Sequence, residues 1–332
     1  MKSNINDIYN NEIPKFLNDY FNYLSAIKGC SIATIVAYTA DLSLLLKFIK
    51  MYKGLISSEK DLPLEEIIIN DLTLDTLKTI TLQDLYAFVS YLGKHRANGN
   101  YAKARKIAAI KSLFKYLTTK AKVLNTDPTI DLESPKLGKR NPIFLTLGES
   151  KSLLEATTSR DKHSIRDHSI ITLFLNCGLR LSELCSINIS DMKDDTLFIV
   201  GKGNKERTIY LNKASLRAIF KYLPIRNADI EKIHVEDKDA LFISGKYGRI
   251  NKRTVERIVK KHIGNAGLNK DKYTPHKLRH TSATLMYKYG NVDIRSLQEI
   301  LGHENISTTQ IYTHADNDKL RNAVKSNPLS DE

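Results

Sequence analysis

Cysteine is scarce in this chain of 332 residues: Cys30, Cys177 and Cys185 are odd in number, scattered and free of any C-x-x-C spacing. That excludes a disulfide framework or a thiolate zinc site as the basis of the fold. The opening stretch MKSNINDIYNNEIPKF has no apolar signal region, and no uninterrupted apolar run approaches the roughly 18 residues that span a membrane. The expectation is a reduced, soluble, cytoplasmic protein with no membrane partner. Internal repeats and low-complexity tracts are absent as well. Acid is short relative to base, 37 Asp+Glu against 51 Lys+Arg for a net +14, which favours a polyanionic partner, nucleic acid first.

The first part of the chain reads as helix. FLNDYFNYLSAIKG, SIATIVAYTADLSLLLKFIKMY, TLQDLYAFVSYLGKH and NYAKARKIAAIKSLFKYLTTK carry apolar residues at three- and four-residue spacings, with Ser31 and Thr81 as caps. Between Asp84 and Asp127 lie nine Lys/Arg and no acid, whereas Glu59 to Asp75 holds six acids and one Lys. Nine like charges without compensation call for a partner that neutralises them. This reading puts Lys94, Arg96, Lys103, Arg105, Lys106 and Lys111 on DNA phosphates and the acidic segment away from them. LESPKLGKRN then reads as an extended connector whose Lys136, Lys139 and Arg140 track the DNA backbone. The expected organisation is a helical DNA-binding domain over residues 1–134, a linker over 135–143, and a second domain over 144–332.

The second domain mixes helix and strand. LTLGESKSLLEATT, IRDHSIITLFLNCG, RLSELCSI, KASLRAIFKYL and NKRTVERIVKKHIGNAG read as helices, the last presenting Lys252 and Arg253 to DNA. DDTLFIVGKGNKERTIYL reads as two short strands around a Gly-Lys-Gly-Asn turn, and the polar stretch from Arg226 to Asp239 as a loop. GKGNKERT is no phosphate-cradling P-loop, since the G-x-x-x-x-G-K-[ST] spacing is missing and no helix follows.

The stretch from Thr274 to His314 gathers chemistry. Thr274 caps a helix, Pro275 suits its first position, and His276 then lies where unpaired N–H groups and the helix dipole welcome a phosphate. Arg279, one turn on, offers a bidentate fork to the same phosphate. His303 follows Leu301-Gly302 just past a helix end, and a short helix starting at Ser307 or Thr308 carries Tyr312 on its last turn. Upstream, Arg180 begins a helical turn with Glu183 placed to orient it, and Lys202 sits at the hairpin tip. His276 and His280 form an H-x-x-x-H pair, but Lys277 stands where a zinc hydrolase would need Glu, so no metal is expected. Taken singly, a Tyr on a short helix packs, a His after Gly caps, and a hairpin Lys is solvated.

GLRLSEL (178–184), GKGNKER (201–207), TPHKLRHT (274–281), LGH (301–303) and STTQIYTH (307–314), in this order, make the chain resemble the tyrosine recombinases, most closely the bacterial Xer type. The resemblance implies a mainly α fold with a small β-hairpin, arranged as a two-domain, C-shaped DNA clamp. It also implies strand exchange through a 3′-phosphotyrosine, without cofactor. Tyr312 would be the nucleophile, Arg180 and Arg279 the phosphate clamp, His276 the base, Lys202 the acid and His303 a further donor, with Glu183 and His280 in support. The implied partners are duplex DNA with a two-fold symmetric site, a homo- or hetero-tetramer on two duplexes, a paralogous recombinase and a DNA translocase. In the family, a tail such as ADNDKLRNAVKSNP docks on a neighbouring protomer. Chromosome dimer resolution is the expected task; a phage or mobile-element integrase, and a DNA-binding protein without catalysis, are the alternatives.

Overall fold

The computed structural model of the protein describes residues 12–56, 62–138, 142–158, 162–201, 206–290, 292–303 and 309. The chain forms two units, Met1–Lys139 and Arg140–Glu332. Helices dominate both, with one small sheet in the second.

The first unit contains α1 (Lys15–Ala26), α2 (Ile32–Tyr52), α3 (Leu74–Lys78), α4 (Leu82–Lys94) and α5 (Asn100–Thr119). The expected caps are in place: Ser31 accepts from the Thr34 amide, and Thr81 and Asp84 satisfy each other's backbone N–H across the first turn of α4. Each such cap contributes about 1 kcal/mol. Helix α2 packs against α1, α4 and α5 and buries Leu42, Leu45, Leu46 and Ile49. By length and composition it is the one helix among the described residues apolar enough to cross a membrane. A search for uninterrupted apolar runs passes over it because Asp41, Lys47 and Lys50 punctuate it. Here it is the middle of a helical core.

Asp41 corrects the reading of the basic helix. Its carboxylate is 1% exposed and accepts from Arg105 Nη1 at 2.5 Å and Lys106 Nζ at 2.7 Å. Lys106 is itself buried, so it is an internal counter-ion and is not presented to DNA. Arg105 is exposed but shares the same carboxylate. Arg96 pairs with Glu65, so the acidic segment is not set apart from the basic one. Charges counted along a window miss acids that arrive from another part of the chain. Lys94 and Lys136 remain exposed, and Lys103 and Lys111 partly so. The acidic segment is also no loose insertion: Leu64, Ile67, Ile69, Leu72, Leu77 and Ile80 are buried in the same core.

In the second unit α6 (Leu147–Glu155), α7 (Lys162–Cys177) and α8 (Leu181–Ser186) precede the strands β1 (Met192–Lys193), β2 (Thr196–Val200) and β3 (Glu206–Tyr210). Then come α9 (Lys213–Asn227), α10 (Lys252–Asn265), α11 (Pro275–Tyr289) and α12 (Ile294–Leu301). Helix α7 packs against α9 and α11, burying Ile170, Ile171, Leu173 and Phe174. The strands form an antiparallel sheet in the order β1-β2-β3, with Phe198 opposite Thr208 and Ile199 opposite Arg207. Strand alternation turns Leu197, Ile199 and Ile209 to the core. The stretch read as a polar loop begins on a buried arginine instead. Arg226, in the last turn of α9, donates to the carbonyls of Ala240 at 2.9 Å and Lys238 at 2.5 Å, so the following chain wraps around it in two 3-10 turns.

Removing the Asp41 carboxylate strands a buried ammonium, so Asp41→Ala should lower stability by on the order of 3 kcal/mol in urea unfolding. Lys106→Met should leave both DNA affinity and its dependence on salt unchanged. A fall of about one in the salt slope would return Lys106 to the DNA interface.

Candidate active site

The second unit assembles the site around a carboxylate. Glu183, on the first turn of α8, is 2% exposed. One oxygen accepts from Arg180 Nη1 at 2.7 Å and Arg207 Nη1 at 2.6 Å; the other accepts from the Arg180 backbone N–H at 2.7 Å and Arg207 Nη2 at 2.9 Å. Arg279 Nη1 stands 3.8 Å from the second oxygen. Burial alone would raise the pKa of this carboxyl, but the hydrogen bonds from Arg207 and Arg180 outweigh it and hold it below the usual range. Glu183 is thus the common anchor of three arginines.

Backbone carbonyls complete the hold on two of them. Arg279, 3% exposed, donates Nη1 to Gly178 O at 2.7 Å and Nη2 to Leu301 O at 2.5 Å. Arg180 donates Nη2 to Gly302 O at 2.6 Å. Two consecutive carbonyls therefore face two different arginines. That needs a sharp turn after α12, which Gly302 supplies as a left-handed C-cap at φ +62°. Gly178 also sits at positive φ, and a Cβ there would lie 2.9 Å from Leu301. The glycines of GLR and LGH are there for this close approach.

The histidines line the same place. Pro275 opens α11 and His276 takes the second position, as expected; Thr274, however, makes no side-chain cap, its carbonyl alone receiving the Lys277 and Leu278 amides. His276 is exposed, yet its pKa is lowered, first by partial desolvation against the site and then by Lys277, Arg279 and Arg180. His280 packs edge-to-face on His276 with ring centroids 4.4 Å apart, and burial with the neighbouring charges takes it down to about 3. His303 falls to about 4, through burial and then Arg279, Arg180 and Arg207, and its Nδ1 lies 3.0 Å from Thr309 Oγ1. All three rings are therefore neutral near pH 7. Fixed guanidinium charge beside neutral imidazoles suits an incoming phosphate, to which the first gives attraction and the second gives or takes a proton.

Arg180, His276, Arg279, His303, Glu183 and His280 are thus brought to one place. Lys202 and Tyr312 lie outside the described residues, as do Lys139, Arg140 and the C-terminal tail. Of the helix expected around Tyr312, Thr309 alone is described, in helical conformation. Lys252 and Arg253 are exposed on the first turn of α10, which Asn251 caps. Arg207 and Thr309 escaped the sequence reading. Arg207 was detectable: it shares the inward face of β3 with buried Ile209, and an arginine on such a face needs a hydrogen-bonding partner such as a carboxylate. For Thr309 no sequence signal existed.

Known proteins are similar to this chain along most of its length. The phage integrase family profile matches residues 144–319. The XerC tyrosine recombinase of Caldanaerobacter subterraneus subsp. tengcongensis is 52% identical over 319 residues, 96% of this chain and 88% of that protein. The XerD tyrosine recombinase of Listeria monocytogenes is 31% identical over 313 residues, 93% and 97% of the two chains. Among solved structures, XerH site-specific recombinase bound to difH substrate in a pre-cleavage complex is similar with a TM-score of 0.65 at 25% identity, covering 93% of this chain and 84% of that one. With the motifs in order, the arginines on one carboxylate and relatives matched nearly end to end, the chain belongs to the phage integrase family, as a tyrosine recombinase most similar to the Xer type.

Proposed function

We propose that this protein is a Xer-type site-specific recombinase that cuts and rejoins DNA strands at short, two-fold symmetric sites. The observation that carries the reading is the pair Arg180 and Arg279, fixed on Glu183 and on the carbonyls of residues 178, 301 and 302 beside neutral His276 and His303. Positioned cations commonly do more than any other group to speed phosphoryl transfer, because charge gathers on the non-bridging oxygens as the nucleophile arrives.

In this reading the Tyr312 oxygen attacks the scissile phosphorus and the bond to the 5′-oxygen breaks, leaving a 3′-phosphotyrosine. An unperturbed tyrosine has a pKa of about 10, so its proton needs a receiver, and neutral His276 takes it. Lys202 gives a proton to the departing 5′-oxygen. His303 donates from Nε2 to a phosphate oxygen, a tautomer held in place when the Thr309 hydroxyl donates to Nδ1. The 5′-hydroxyl of a partner strand then reverses the step, and the energy of the broken bond is retained in the covalent intermediate.

The helical unit and the connector supply phosphate contacts through Lys94, Arg96, Lys103, Arg105, Lys111, Lys136, Lys139 and Arg140, and α10 through Lys252 and Arg253. The boundaries we assign are 1–134 for the DNA-binding domain, 135–143 for the linker and 144–332 for the catalytic domain. Relatives named XerC and XerD both match this chain, which supports work beside a paralogous recombinase; in this reading a tetramer forms on two duplexes and a translocase sets the order of exchange. The place of action is the cytoplasm, and the task is resolution of chromosome dimers.

Covalent trapping on a nicked duplex bearing a candidate symmetric site, with chelator present, tests the chemistry. The native protein should form a protein–DNA adduct; Tyr312→Phe should bind the same DNA and form none. An adduct that survives in the variant would assign the nucleophile elsewhere.

The pH profile tests the base. Because the His276 pKa is lowered, its neutral, proton-accepting form persists below the ordinary histidine value of about 6.5. The second-order rate of adduct formation, which reports the free enzyme, should therefore hold its plateau from neutrality through that value before falling. A midpoint at or above it would count against His276 as the base.

A further inference from the structure

Arg207 is a charged member of the Glu183 cluster to which the chemistry above gives no task. Both its η nitrogens are spent on Glu183, one on each carboxylate oxygen, at 2.6 and 2.9 Å. Its side chain is 13% exposed against 30% for Arg180, so it faces the carboxylate more than the solvent. It also lies flat on the turn after α12: a Cβ on Gly302 would come within 2.9 Å of its Nη1 and 3.0 Å of its Cδ. That glycine's carbonyl is the one Arg180 holds, and the preceding carbonyl is the one Arg279 holds. In sequence, Arg207 stands at the start of β3, five residues after Lys202.

We propose that Arg207 is a positioning residue: it clamps Glu183 so that Arg180 and Arg279 are aimed together, and ties β3 to the turn bearing His303. The proposal rests on the reading of Arg180 and Arg279 as the phosphate clamp. Arg180 reaches both oxygens too, through its backbone N–H and Nη1, but with the Nη1 bond given up to a phosphate the carboxylate would be held at one oxygen and free to turn about its last torsion. A bidentate fork on both oxygens removes that freedom, and a lysine cannot reproduce it because an ammonium is a single point of charge. The proposal gives Arg207 no phosphate contact of its own, and the salt dependence of DNA binding tests that.

The test compares Arg207→Gln and Arg207→Lys, each alone and combined with Glu183→Gln, in single-turnover cleavage of a nicked duplex. DNA affinity is measured across salt concentrations, and the NMR guanidinium signals of Arg180 and Arg279 are followed in parallel. Arg207→Gln should cleave about a hundredfold more slowly, the cost of an ångström-scale misplacement. Its DNA affinity and salt slope should stay those of the native protein. Arg207→Lys should fall between the two, and it keeps the charge on Glu183 should the Gln variant fold poorly. On the Glu183→Gln background, Arg207→Gln should add less than about a threefold loss, because the two side chains act as one unit. The guanidinium signals should shift or broaden in both Arg207 variants.

Multiplicative losses, a salt slope reduced by about one as for a lost phosphate contact, or folded variants with native rates would each overturn the proposal. Unmoved guanidinium signals would overturn it too. A native protein that binds the duplex yet forms no adduct would defeat the recombinase reading instead, and the guanidinium signals would still decide Arg207.

Discussion

A single buried carboxylate makes this site possible. Three guanidinium groups gathered in a partly buried site repel one another more strongly than they would in bulk water. Glu183 at 2% exposure supplies the compensating charge from below, and every one of its hydrogen bonds comes from a residue of the site. A carboxylate buried without partners would be expensive; with Arg180, Arg207 and Arg279 around it, it stays ionised. The cluster is left with an excess of positive charge, and that is what a bridging phosphate needs.

The same cations govern the histidines. Arg279 and Arg180 appear among the groups that depress His276, His280 or His303, and each ring also loses solvation by burial. The division of labour is electrostatic: permanent charge resides on arginine, while imidazole is kept neutral and able to move a proton. Had the histidines been charged, the base would already be spent. In the proposed reading, arrival of a phosphodiester monoanion would partly cancel the arginine field, so proton transfer to His276 would become easier when substrate is in place.

Much of the scaffold was legible because it rests on local rules. The helices of both units, the Ser31 and Thr81 caps, Pro275 at the start of α11 and the hairpin strands follow from periodicity, capping chemistry and alternation. Most of the site was legible as well, because Arg180, His276, Arg279 and His303 sit in motifs with fixed spacing. What failed was non-local. Lys106 looked like a surface charge because its partner Asp41 lies 65 residues earlier. Arg226 looked like the edge of a polar loop because the carbonyls it binds belong to later chain that only the fold wraps around it. The Thr274 side chain failed as a cap even though its residue type allows it, which only geometry decides.

The buried ion pairs do not weaken the case drawn from composition; they sharpen it. Pairing a base with an acid removes one charge of each sign, so the net +14 is unchanged however many pairs form. Lys106 with Asp41, Lys53 with Asp84, Arg166 with Asp167 and Arg207 with Glu183 each withdraw an acid from the pool that could offset exposed lysines elsewhere. The uncompensated charge is thereby concentrated on the residues left outside, such as Lys94, Lys136, Lys252 and Arg253. Counterions held by a DNA duplex are released in proportion to the phosphates such residues neutralise, so affinity is set by this smaller exposed set. A basic protein of this kind reads as a DNA-binding one through which of its bases the fold leaves unanswered, and the count of Lys and Arg alone cannot supply that.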